Sequence, residues 1–177
     1  MTAARGGARP RQSRPSARRG KRAPRTRADA RGLRLGLLRA AFNAHVVDGL
    51  AAGARAAFVA AGGGTDDVEE IEVPGAFELP QAAFAAALSG RFDMLVACGA
   101  VIRGQTDHYE HVARAASSGL EAVARETLVP LGFAVLTVSR VEHALARAAP
   151  GQDNKGAEAL HAAVAMVHVL RALKRRR

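Results

Sequence analysis

The chain has 177 residues, 49% of them hydrophobic and 24% charged, with one cysteine and no tryptophan, which is enough apolar mass for the core of one domain. Its formal charge of +10 sits at the ends: residues 1–34 carry +11 and residues 171–177 carry +5, leaving −6 on the 136 residues between them, so a mildly acidic body lies between two basic termini. A lone Cys98 excludes an intrachain disulfide and a cysteine zinc site, residues 1–32 hold no apolar stretch of a secretory signal, and no apolar run approaches the roughly eighteen residues that a spanning helix needs. A reducing, cytoplasmic setting without a membrane is the expectation.

Residues 1–32 combine Arg, Pro, Gly and Ala with almost no large apolar side chain and are expected to be a disordered basic extension, because they cannot bury enough surface to offset the entropy of ordering. From Leu33 the apolar run LRLGLLRAAFN ends at a polar Asn43 and predicts a buried strand with the loop after it. HVVDGLAAGARAAFVAAGGG repeats apolar residues at helical spacing and stops at Gly62–Gly64, a glycine-capped helix. VEEIEV alternates as a strand and meets Pro74-Gly75; FELPQAAFAAALSG is again helical. FDMLVACGAVI predicts a third strand, the stretch from Thr106 to about Leu128 a long helix, and LGFAVLTVS a fourth strand. VEHALARAA is a short helix broken at Pro150-Gly151, and NKGAEALHAAVAMVHVLRALK closes the chain as an amphipathic helix. Apolar strands alternating with helices, without hairpin signals, predict an α/β fold whose parallel sheet is covered on both faces.

Ligands of such open sheets bind beyond the carboxyl ends of the strands, so the loops there are where chemistry is to be sought. Phe42 ends the first strand, where a flat ring could stack on a heterocycle or simply join the core. Val-Pro-Gly-Ala-Phe-Glu sets a turn that aims the N–H groups of Ala76 and Phe77 at the strand ends, with Glu78 beside them. The third loop is the richest. Gly104 frees the backbone, Gln105 and Thr106 offer N–H groups where a helix begins, a position suited to an anion, and His108 falls in the first turn, within reach of whatever binds there. His108 and His111 are three apart, yet no further ligand pair has zinc or iron spacing, so no metal is expected. Arg147 and Lys155 flank the last break, the first suited to clamping a phosphate and the second to donating to hydroxyls.

Phe42-Asn43, VPGAFELP over residues 73–80, GAVIRGQTDHY over 99–109, Leu136-Thr137 and Asn154-Lys-Gly156 occur in the order and spacing that resemble 6,7-dimethyl-8-ribityllumazine synthases, a likeness that covers about residues 33–173. The resemblance implies a flavodoxin-like three-layer α/β/α sandwich with a four-stranded parallel sheet. It also implies a transferase of riboflavin biosynthesis that condenses 5-amino-6-(D-ribitylamino)uracil with 3,4-dihydroxy-2-butanone 4-phosphate, releasing phosphate and water, with no metal or organic cofactor. Carried over by residue, Phe42 stacks on the pyrimidine, and Ala76, Phe77 and Glu78 line the pyrimidine and ribityl site. Ala100, Val101 and Ile102 contact the ring through their backbone. Gln105, Thr106 and Arg147 hold the phosphate, and His108 transfers protons. Phe133 completes the aromatic pocket from a neighbouring subunit, and Lys155 approaches the ribityl chain.

The family builds homopentamers with active sites between subunits, and in some members twelve pentamers form a hollow icosahedral shell; the connection from Arg147 to Asn154 lacks the insertion of members that stop at pentamers. Two departures stand out: Ser139-Arg140 adds a cation after the fourth strand, and residues 148–153 lack the usual basic residue. The basic extension reads either as a solvated tail or as a salt-sensitive contact for nucleic acid or acidic partners, without aromatic residues among its arginines to stack on bases. The alternative to an enzyme is a non-catalytic flavin- or lumazine-binding module of the same fold.

Overall fold

The structure, a computed structural model, describes residues 29–175. The expected basic extension therefore lies, up to residue 28, outside the described residues. Residues 29–32 join the body: Ala30 is buried, its N–H donates to the Ala61 carbonyl at 2.9 Å, and the Arg31 guanidinium holds the Asp29 carboxyl down to about 2.

The chain runs β1 (Leu35–Ala40), α1 (Ala44–Ala60), a short 3-10 turn (Thr65–Asp67), β2 (Val68–Val73), α2 (Leu79–Leu88), β3 (Met94–Ile102), α3 (His108–Thr127), β4 (Leu131–Val138), α4 (Val141–Ala148) and α5 (Lys155–Lys174). All four strands are parallel in the order β2-β1-β3-β4, with Leu38 opposite Ile71 and Ala97, and Ala97 opposite Phe133. The α/β fold and the parallel sheet expected from the alternation of strands and helices are what the structure has.

Period-two alternation divides the core. Leu35, Leu37, Met94, Val96 and Cys98 pack toward α1, α4 and α5, while Leu38, Ala40, Leu95, Ala97 and Val101 pack toward α2 and α3. Successive side chains of a strand point to opposite faces, so one apolar run feeds both layers, and each fully buried Leu contributes about 1.5–3 kcal/mol relative to exposure. On α1, Val46, Val47, Leu50, Ala54, Ala57 and Phe58 recur at helical spacing and are buried; the helix ends where Gly62 takes φ 95°, a left-handed conformation that glycine adopts without a Cβ penalty. At Gly156 a Cβ would stand 1.9 Å from the Leu50 carbonyl oxygen, so α5 can lie this close to α1 only with glycine there.

Two expectations shift. Helix α2 begins at Leu79, not at Phe77, because the N–H of Glu78 donates to the Gly75 carbonyl at 3.3 Å and closes a turn first; Pro80, which has no N–H to give, occupies the first helical turn. The expectation that nothing is long and apolar enough to cross a membrane also needs correcting: α5 meets that test by length and composition. Its charged residues are too few to lower the average, but Ala159, Leu160, Ala163, Val164 and Val167 are buried in the α1 layer, so its apolar side belongs to the core.

Candidate active site

Three strand ends and one helix start meet over a cavity of about 340 Å³. Its floor is β3 at Ala100, Val101 and Ile102. One side is Phe42 and Asn43 after β1, another is the turn Gly75, Ala76, Phe77 and Glu78 after β2, and the roof is Gly104, Thr106, His108, Tyr109 and Val112 from the β3–α3 connection and α3 itself.

The backbone holds these pieces in register. Ala41 and Phe42 donate their N–H groups to the carbonyls of Val73 and Pro74 at 2.8 and 3.0 Å, extending the β1–β2 pairing past the strand ends. Asn43 then turns out at φ 61°, a left-handed conformation that asparagine tolerates better than most residues, and its Nδ2 donates to the Ala100 carbonyl at 2.8 Å. The loop after β1 is thereby clasped to β3. Phe42 is 72% exposed and Phe77 60%; neither ring belongs to the core, so the plain core reading of Phe42 does not hold. Two bare rings on an apolar floor are a surface for a flat heterocycle.

The polar groups are few. Among the described residues, Glu78 is the one carboxylate that lines the cavity, His108 the one imidazole, and no Lys or Arg lines it. His108 is the first residue of α3, and its ring makes no hydrogen bond among the described residues. Tyr109 donates its hydroxyl to Glu110 at 3.1 Å, which raises the phenol's pKa above its ordinary range. Its ring lies beneath the guanidinium of Arg103, 5.5 Å from the ring centre. Among the described residues no three His, Cys, Asp or Glu side chains cluster as a metal site would require.

Nine of the residues singled out in the sequence line this one cavity: Phe42, Ala76, Phe77, Glu78, Ala100, Val101, Ile102, Thr106 and His108. Gln105, Phe133, Arg147 and Lys155 do not. Gln105 is exposed on the same loop. Phe133, 47% exposed, is on β4 at the sheet edge. Arg147 is on α4, its Nη1 donating to the His143 carbonyl at 2.9 Å, and Lys155 starts α5 paired with Glu158. The last two belong to the layer across the sheet from α2 and α3. Arg140, the unexpected cation, is exposed beside Glu142 at 3.3 Å.

The corner between Arg147 and Lys155 is rigid. Asn154, 2% exposed, is the buried polar residue of the described chain; its Nδ2 faces the carbonyls of Gly49, Ala148 and Ala149 at 2.8–3.2 Å, and its Oδ1 accepts the N–H of Ala157 at 3.0 Å. One side chain thus caps α5 and ties α4 and α5 to α1. Gly104, read from sequence as freeing the loop backbone, lines the cavity as well, whereas Asn43, Gly75, Tyr109 and Val112 are lining residues without a role assigned from sequence. Tyr109 and Val112 stand one and four positions after His108, and that helical spacing was the available signal.

A parallel α/β/α body with a ligand-sized cavity over the carboxyl ends of its strands is the frame of a protein that binds small molecules. The family model described as 6,7-dimethyl-8-ribityllumazine synthase matches residues 32–171, and the chain belongs to that family.

Proposed function

We propose that this protein is a transferase, a 6,7-dimethyl-8-ribityllumazine synthase that condenses 5-amino-6-(D-ribitylamino)uracil with 3,4-dihydroxy-2-butanone 4-phosphate and releases phosphate and water. The observation that carries this reading is the convergence of Phe42, Phe77, Glu78, Thr106 and His108 on one cavity in a chain of that family.

The pyrimidine lies against Phe42 and Phe77 over the floor of β3, with backbone groups of Ala100, Val101 and Ile102 at its edge. Ala76 and Glu78 flank the ribityl chain. The phosphate meets the N–H groups of Gln105 and Thr106, where the start of α3 favours an anion. The pyrimidine amine attacks the ketone and water leaves as the imine forms; phosphate is then eliminated, the resulting enol tautomerises to a carbonyl, and the ribitylamino nitrogen adds to that carbonyl and closes the ring with loss of a second water. His108 moves the protons these steps require, and holding the two reactants together supplies much of the acceleration.

Among the described residues the cavity of one chain lacks a cation for the phosphate, and Phe133, Arg147 and Lys155 stand outside it. A site completed by a neighbouring copy accounts for both facts, in keeping with a homopentamer or a larger shell. Apolar side chains left exposed on α5, Met166, Val169 and Leu173, support burial between copies.

The test is lumazine formation by the full chain with both substrates, followed by absorbance against the uncatalysed condensation in buffer. A clearly enhanced rate is expected. A rate equal to buffer, with tight lumazine or flavin binding, would replace the enzyme by a binding module.

A further inference from the structure

Thr106 and its neighbours are poorly fastened for a loop that must receive a charged group. The N–H of Arg103 donates to the Val138 carbonyl at 2.9 Å, closing the β3–β4 ladder, and the next backbone bond is that of Glu110 to Asp107 at 3.0 Å, inside the first turn of α3. Between them Gly104, Gln105 and Thr106 make no hydrogen bond among the described residues. A Cβ at Gly104 would touch nothing within 4 Å.

One side-chain contact does cross it. Arg103 enters the loop, Tyr109 follows it, and the guanidinium carbon of Arg103 lies 5.5 Å from the centre of the Tyr109 ring. Tyr109 lines the cavity and Arg103 does not. Arg103 has no carboxylate partner among the described residues, in contrast to Arg31, Arg39, Arg55, Arg91 and Arg125, each of which pairs with an acid. Its charge is therefore directed at a ring, over whose face a cation is attracted.

We propose that Arg103 is a positioning residue of this site: by stacking on Tyr109 it ties the two ends of the loop that receives the substrate's phosphate, and so holds the unbonded N–H groups of Gly104, Gln105 and Thr106 ready for that group. The proposal rests on the phosphate-ester substrate of the function given above. A loop ordered in advance loses less freedom when its ligand arrives, so the staple acts on capture of the phosphate compound, whereas the pyrimidine rests on Phe42, Phe77 and the β3 floor.

The experiment compares the full chain with Arg103→Ala, Arg103→Lys and Tyr109→Leu, alone and as the pair Arg103→Ala with Tyr109→Leu. Arg103→Ala is expected to raise KM for the phosphate-bearing substrate about fivefold, the upper end for an exposed cation–π contact, with KM for the pyrimidine within about twofold. Tyr109→Leu should raise the KM for the phosphate-bearing substrate by a similar factor, the pair should raise that KM no further than either single change because both remove one contact, and Arg103→Lys should fall between. Inorganic phosphate, titrated by calorimetry into unsubstituted protein and into Arg103→Ala, supplies a readout that needs no turnover: affinity should drop by a similar factor. If both KM values rise together, if the two substitutions add, or if phosphate binds equally well to both proteins, Arg103 has no positioning role. Failure of the unsubstituted chain to form lumazine counts against the proposed reaction instead, and the phosphate titration still decides for or against Arg103.

Discussion

Phe58 and Phe42 are the same side chain used in opposite ways. Phe58 is fully buried in the layer of α1, α4 and α5, while Phe42 is 72% exposed at the cavity rim, and the surroundings of each follow suit. In the first layer polar groups are satisfied inside the chain, most fully at Asn154 with its three carbonyl neighbours and one N–H. At the rim, the ring of His108 and the N–H groups of Gly104, Gln105 and Thr106 are left unbonded among the described residues. Groups left unbonded at the rim add nothing to the free chain's stability, so the buried apolar layers on the two faces of the sheet must supply it.

The sharpest way to break this contrast is to truncate both rings. Phe58→Ala should cost about 3–5 kcal/mol by denaturant unfolding, the cavity cost of a buried aromatic. Phe42→Ala should stay within about 0.5 kcal/mol, as surface changes do, while raising KM for the pyrimidine roughly fivefold through the lost stacking. Equal stability losses would erase the distinction. Next in size, His108→Ala should lower kcat about 100-fold, in the range for a general acid–base group, with an unchanged unfolding midpoint. An unchanged rate would remove His108 from the chemistry.

A smaller effect is expected at the buried corner. Asn154→Ala should destabilise the protein by about 1–3 kcal/mol, since a cap is lost and buried carbonyls lose their donor; thermal unfolding measures it, and an unaltered Tm would show that the corner is held by other contacts. The last is silent at neutral pH and concerns Cys98, in the same layer. Burial pushes its thiol up from an ordinary value of 9.0 to about 12. Below pH 9 folded and unfolded chains both carry the proton and the thiol costs nothing. Between about pH 9 and 12 the unfolded chain loses it first, so stability falls as pH rises, by up to about 1.4 kcal/mol per unit. Cys98→Ala should flatten that decline in denaturation curves taken across the window, and iodoacetamide should label Cys98 at pH 8 only as fast as the chain opens.

Much of the fold was legible because strand and helix periods are written locally. The alternating run around Leu37 and Leu38, the helical repeat from Val46 to Phe58 and the glycine after it each declared their element within a few residues. The site was legible where a loop motif ends a strand, as at Phe42, residues 75–78 and His108. Contacts distant in sequence were not legible: Asn43 with Ala100 at the cavity, and, away from it, Arg34 with Asp93 and His168 with the Asp29 carbonyl. Nor could sequence reveal that Phe133, Arg147 and Lys155 lie outside the chain's own cavity, because that depends on which face of the sheet α4 and α5 cover.

By itself, then, the sequence determined the element order, the parallel α/β class and the family, since apolar periodicity and turn residues act over short stretches of chain. Tertiary structure alone decided which of two phenylalanines is core and which is rim, and whether a cation such as Arg103 meets a carboxylate or a ring. Burial and pairing are properties of what lies on the far side of a residue, and only the folded chain sets that neighbour.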